Sequence, residues 1–181
     1  MLDNNYEWIN NFSDIKNISK DKKIIGTFAE DSICEDQNRT SLSDMTTEAL
    51  SRLENENGFL VMIEGSDIDT FSHKSNMQKM LIEMLEFDNA VGIAMNYVDT
   101  HPDTLLVITA DHETGGLILN STTSKEQLTD HLFTSRGNHT QTDVLVYAYG
   151  KSAEDLTQYD TIDNTSIYKF IKQGLTNNIE H

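Results

Sequence analysis

The chain has 181 residues, with 30 Asp and Glu against 13 Lys and Arg, giving a formal charge of −17 at pH 7 and a pI near 4.5. That balance argues against a nucleic-acid binder and against docking on an anionic membrane, because both depend mainly on Lys and Arg. Hydrophobic residues at 37% suffice for a core, the longest apolar runs are far too short for membrane insertion, and the single cysteine, Cys34, excludes a disulfide framework or cysteine-rich zinc module.

The first residues carry neither a basic start nor an apolar stretch, so they do not read as a signal peptide. Polar, Asn-rich stretches at 3–23 and 30–41 read as loops or frayed edges. Between them, Lys23-Ile24-Ile25-Gly26-Thr27-Phe28-Ala29 is a short β-prone run. At Ser41 the hydroxyl can accept from the third helical N–H while Asp44 reaches back, a carboxylate variant of the capping box. Met45, Ala49, Leu50 and Leu53 then recur at helical spacing, predicting a helix to about Glu56 with Asn57-Gly58 as its stop. Phe59-Leu60-Val61-Met62-Ile63 has the length and composition of a strand buried on both faces.

That run ends in Glu64-Gly65-Ser66-Asp67, and Asp69 and His73 follow. From about Asn76 to Val98, a stripe of Met80, Leu81, Met84, Leu85, Val91, Met95 and Val98 predicts a long amphipathic helix whose methionines fill core. His101-Pro102-Asp103 is the turn into a second buried strand over 104–109, which ends in Ala110-Asp111-His112-Glu113-Thr114-Gly115-Gly116. A polar insertion at 120–130 leads to Arg136-Gly137-Asn138-His139-Thr140. Val144 to Tyr149 is a third strand, and Ile167, Phe170, Ile171 and Leu175 mark a terminal helix. Helices alternating with apolar strands indicate an α/β layer on a mostly parallel sheet, in which ligands collect beyond the carboxyl ends of the strands.

The polar clusters lie at those ends. Asp69 and His73 are four apart, so they share a face if the loop turns helical, and both residue types ligate zinc. Asp111 and His112 are adjacent, able to bind one ion edge-on or to reach towards two. His139 stands just before the third strand. Each residue also has a plainer reading. Carboxylates after strands often cap the next helix, and a lone loop histidine, as at His101 and His131, is ordinarily exposed or hydrogen-bonding. Three such sets at consecutive strand ends are the pattern a two-metal site requires.

These segments resemble the alkaline phosphatases. The stretch from Gly58 through Glu64 and Asp69 to His73 is similar to their metal-binding segment, the run Val107 to Gly116 follows after a long helix, and Asn138 to Gly150 is similar to their last histidine motif. Ile25 to Ala29 and the helix after Ser41 fit the same order, so the match runs from about 22 to 175. The resemblance implies Asp69, His73 and His139 as ligands of a first zinc, Asp111 and His112 as ligands of a second, and Glu64 as a magnesium ligand. It implies two Zn2+ and one Mg2+, phosphomonoester substrates and hydrolysis through a phosphoserine. Three such cations bring about six positive charges, enough to make the site attractive to phosphate in an acidic chain.

The departure from the family pattern lies at its beginning. No Ser here stands in an Asp-Ser-Ala-like context, so no catalytic nucleophile is assigned, and Arg136, one of three arginines, is not matched to the phosphate clamp. Residues 1–181 are therefore expected to form the carboxyl-terminal part of an alkaline phosphatase domain, a partial three-layer α/β/α fold whose amino-terminal part is absent. The isolated chain is expected to be inactive. The alternative is a non-catalytic metal-binding or interaction fragment that needs a complementary chain. Family resemblance further implies a periplasmic or secreted location and a homodimer, or pairing with an amino-terminal half.

Overall fold

The computed structural model describes residues 5–28, 40–135 and 137–177. Ala29, Cys34 and Arg136 lie outside them, as does most of the expected 30–41 loop.

The polar amino-terminal stretch carries more structure than a loop. Strand β1 (Tyr6–Ile9) pairs in parallel with β2 (Lys23–Gly26), from Tyr6 opposite Lys23 to Ile9 opposite Gly26. A short 3-10 turn at Phe12–Asn17 connects them, capped by Asn11 accepting from the Ser13 amide. Composition hid this unit because only two of its residues, Ile9 and Ile15, are apolar and buried. Beyond them, Phe12 meets Phe28 edge-on at 5.7 Å, and the other support is polar. Arg52, paired with Glu48 at 2.7 Å, donates to the carbonyls of Ile15 and Ile18, tying the turn to the next helix.

That helix, α1 (Leu42–Leu53), starts as expected. The Ser41 hydroxyl accepts from the Asp44 amide at 2.9 Å and donates to the Asp44 carboxylate at 2.8 Å, so Asp44 reaches the cap's side chain rather than its backbone. Asn55 closes the turn beyond the helix, donating to the carbonyls of Leu53 and Gly58.

The expected strand at 59–63 is extended but belongs to no ladder among the described residues. Phe59, Val61 and Ile63 are half-buried, and Phe59 meets Tyr97 edge-on at 6.1 Å. Leu60 and Met62 point the other way and are 60% and 86% exposed. Burial on both faces is therefore not realised. Period-two alternation sends these two side chains to a face that no described element covers.

Helix α2 (Asp67–His73) follows, and α3 (Met77–Thr100) begins three residues later, with Asn76 accepting from the Lys79 amide as its cap. Both helices bury residues in one cluster of Phe71, Met77, Met80 and Phe133. Leu128 and Leu132, from around the polar insertion, pack against it, and Asp130 accepts from the Met77 amide at 2.8 Å. Methionine thus fills core at 77 and 80. Met84, Leu85 and Met95, from the same predicted stripe, remain exposed.

After the turn at His101, β3 (Leu105–Thr109) pairs with β6 (Val146–Gly150), Leu105 opposite Gly150 and Thr109 opposite Val146. This ladder is antiparallel, where the helix–strand alternation led to the expectation of a mostly parallel sheet. The reason lies in the connection. Between β3 and β6 the chain makes a small hairpin and short 3-10 turns instead of a crossover helix, so it returns in the opposite sense. Gly150 is required at the ladder's end: its φ is +94°, and a Cβ there would sit 2.3 Å from the Thr104 carbonyl oxygen. Helix α3 lies against both strands. Tyr147 and, in the preceding loop, Leu145 remain exposed.

The hairpin consists of β4 (Glu113–Thr114) and β5 (His139–Thr140). Two helices, α4 (Ala153–Thr157) and α5 (Thr165–Asn177), complete the chain, α5 where the terminal apolar stripe predicts it. No described helix is long and apolar enough to cross a membrane.

Candidate metal centre

Helix α2 provides the first pair of ligating groups. Asp69 and His73 stand one turn apart on the same face, with His73 Nε2 3.3 Å from Asp69 Oδ2. The helix holds this face outward because its other side is anchored: Phe71 is 1% exposed, and the Ser72 hydroxyl, also buried, donates to the Ile68 carbonyl.

The hairpin delivers the third group. Glu113 lies opposite Thr140 and Thr114 opposite His139, and the Gly115 amide donates to the Asn138 carbonyl at 2.8 Å. Gly115 lets the hairpin approach α2 closely. Its φ is +83°, and a Cβ would fall 2.7 Å from the Phe133 ring and 3.0 Å from the Ser72 carbonyl oxygen. His139 Nε2 thereby comes within 3.1 Å of His73 Nε2 and 3.7 Å of Asp69 Oδ1. One ligating atom from each of Asp69, His73 and His139 lies within 4.8 Å of the others.

These separations fit a metal ion. Ligands at 2.0–2.1 Å around a tetrahedral ion are about 3.3 Å apart, and one carboxylate with two imidazoles is a donor set that zinc accepts. Two imidazole nitrogens 3.1 Å apart cannot both present lone pairs to each other without a proton or a cation between them.

A second group adjoins the first. The His112 ring stacks on His139 with centroids 3.6 Å apart, so His73, His139 and His112 form a row of three imidazoles. Asp111 Oδ2 is 3.3 Å from His112 Nε2, and its side chain is 87% exposed. Both residues follow the carboxyl end of β3. Glu64 is exposed and stands outside the Asp69–His73–His139 group. His101 and His131 stand outside it too. His101 stacks on Tyr97 at 3.8 Å with Glu54 3.3 Å from its Nε2, and His131 is exposed in a 3-10 turn, so the plain reading of both holds.

Two residues given no role in the sequence reading, Glu113 and Thr114, stand at the centre of this arrangement. The Glu113 carboxylate accepts from the Leu117 amide at 2.9 Å and from the Thr140 hydroxyl at 2.5 Å, bracing both strands. Burial pushes its carboxyl up, but those bonds, with the Gly116 and Thr140 amides, outweigh burial and hold it below the ordinary glutamate value. The Thr114 hydroxyl touches both ligand groups. The available signal was position: residues two apart on extended backbone share a face, which sets Thr114 beside His112.

Comparison with known proteins points to one family. The family model described as alkaline phosphatase matches residues 2–133. The chain is 34% identical over 112 residues to alkaline phosphatase 4 of Bacillus subtilis, covering 59% of this chain and 24% of that protein. It is 28% identical over 250 residues to alkaline phosphatase 3 of the same organism, covering 97% of this chain and 53% of that one. Among solved structures, a cold-active alkaline phosphatase from the psychrophile Shewanella sp. superposes with a TM-score of 0.75 at 27% identity, over 94% of this chain and 59% of that one. The chain thus spans about half the length, or less, of the relatives it matches. With a family model covering well over half of its residues, this chain belongs to the alkaline phosphatase family.

Proposed function

We propose that this chain is the metal-ligating, carboxyl-terminal part of a zinc- and magnesium-dependent phosphomonoesterase, whose nucleophilic serine lies in an amino-terminal portion. The observation that carries the reading is the convergence of Asp69, His73 and His139, drawn from a helix and a hairpin 66 positions apart, with His112 stacked on the third. In this reading Asp69, His73 and His139 hold a first Zn2+, Asp111 and His112 contribute to a second, and Glu64 contributes to Mg2+. When bound, the ions supply charge neutralisation at the phosphoryl oxygens and activation of the attacking and leaving oxygens.

The chain's own residues do the positioning. Helix α2 sets Asp69 and His73 one turn apart, and the hairpin carries His139 across to them. Side chains of the site are partly open to solvent, leaving room for a substrate phosphate. The three-layer architecture belongs to the same proposal. The exposed apolar side chains of Leu60 and Met62 form a surface against which a further layer from the amino-terminal portion would pack. A periplasmic or secreted location and a dimeric enzyme accord with the family reading.

The test is p-nitrophenyl phosphate hydrolysis with added Zn2+ and Mg2+, by the chain alone and after mixing with an amino-terminal half from a related enzyme. Bound metal is counted by elemental analysis in parallel. Bound zinc, negligible turnover alone and turnover after mixing are expected. Strong turnover by the isolated chain would mean that it carries a nucleophile of its own. Zinc binding with no turnover in any mixture would favour the non-catalytic reading, and no metal at all would remove the ligand assignment.

A further inference from the structure

The Thr114 hydroxyl lies between the two proposed zinc subsites. It donates to Asp69 Oδ1 at 2.5 Å, and its oxygen is 3.2 Å from His112 Nδ1. A threonine hydroxyl has one proton and two lone pairs, whereas an ionised carboxylate can only accept. The single proton is therefore committed to Asp69, and towards His112 the oxygen can only accept. His112 must then carry its proton on Nδ1, which leaves the lone pair on Nε2. Nε2 is the nitrogen that faces Asp111 Oδ2, 3.3 Å away, so in this tautomer two acceptors face each other and a cation between them reconciles the pair. One hydroxyl thus orients a carboxylate of the first subsite and selects the ligating tautomer of an imidazole of the second.

The backbone makes the arrangement stiff. Thr114 lies directly opposite His139 in the β4–β5 ladder, so it meets a third ligand residue through the main chain. Its neighbour Glu113 braces both strands, and Gly115 seats the turn on α2.

We propose that Thr114 is a positioning residue that couples the two metal subsites, so that its hydroxyl raises zinc affinity at both together. The proposal rests on the metal-site reading above. Groups behind metal ligands commonly contribute about 10- to 100-fold in affinity by fixing ring orientation and tautomer, and Thr114 serves one ligand in each subsite.

The experiment uses the full chain as wild type, Thr114→Val, Thr114→Ala and Thr114→Ser. Zn2+ binding is measured by calorimetry, Co2+ binding by its d–d absorption, and the His112 tautomer of the metal-free protein by 15N NMR. In Thr114→Val and Thr114→Ala, affinity at both subsites is expected to fall about 10- to 100-fold. The Co2+ spectrum should change, and His112 should populate both tautomers. Thr114→Ser, which keeps the hydroxyl, should restore affinity, spectrum and the Nδ1–H form. If one of the two hydroxyl-free variants fails to fold, the other still carries the comparison with serine. Wild-type affinity in a folded hydroxyl-free variant, or loss at only one subsite, would overturn the coupling. The tautomer readout separates this failure from that of the metal-site reading: a wild type that binds no zinc removes the ligand assignment, whereas an Nε2–H tautomer in the wild type removes the relay itself.

Discussion

Helix α2 and the run at 59–63 are separated by only three residues, yet they end in opposite circumstances. Both are short and carry large apolar side chains. In α2, Phe71 is 1% exposed beneath Met77, Met80 and Phe133, and the opposite face presents Asp69 and His73. In the run just before it, Met62 is 86% exposed, although its neighbours Val61 and Ile63 are half-buried. Apolar composition marks what can be buried, not what is. Burial requires a second surface, and α2 receives one from α3 and the 128–133 segment of this same chain. The outer side of 59–63 receives none from the described residues. The chain covers its own apolar side chains where it holds the candidate ligating groups, and along 59–63 it leaves Leu60 and Met62 uncovered by any described residue.

The largest effect is expected from removing the anchor beneath α2. Phe71→Ala should cost about 3–5 kcal/mol, read from urea unfolding, because it opens a cavity in the cluster that both helices share. A cost below about 1 kcal/mol would mean that α2 is held in some other way. Next in size, His139→Ala should lower Zn2+ affinity by roughly 100-fold or more, about 2.8 kcal/mol, while leaving the urea midpoint of the metal-free protein nearly unchanged. A half-exposed ring at the site can be lost without disturbing the core, so a large stability loss would show the hairpin to be structural first. The smallest effect belongs to the open face. Met62→Ser should change the stability of the isolated chain by no more than about 0.5 kcal/mol, since the side chain is already in water. The same change should weaken reconstitution with an amino-terminal half, measured by the concentration needed for turnover. Equal reconstitution by both proteins would remove the covering role assigned to this face.

Local features were legible wherever the physics is local. The Ser41 cap needs only the spacing between a hydroxyl and an amide three residues on, and it forms. The long helix through Met80 and Val98 follows from periodicity, and the meeting of Asp69 with His73 from a single helical turn. Features that depend on distant partners were not legible. Nothing in the Asn-rich start revealed a parallel pair, because part of the unit's support comes from Arg52, 37 positions from its Ile15 partner. The sense of the β3–β6 ladder could not be read either, since strand composition is the same whichever way the chain returns.

The same boundary runs through the site. The identities and spacings of Asp69, His73, Asp111, His112 and His139 come from the sequence, as does their place beyond apolar runs. Only tertiary structure decided that His139 would stand 3.1 Å from His73, that His112 would stack on it, and that Glu64 would stand outside the group. It also decided that Thr114 would lie between the two ligand groups, since an otherwise ordinary hydroxyl gains that position only when a hairpin packs on a helix. Sequence spacing determines which side chains share a face, because that is a property of local backbone geometry. Which faces meet, and which stay bare, depends on the partner surfaces that the rest of the fold supplies.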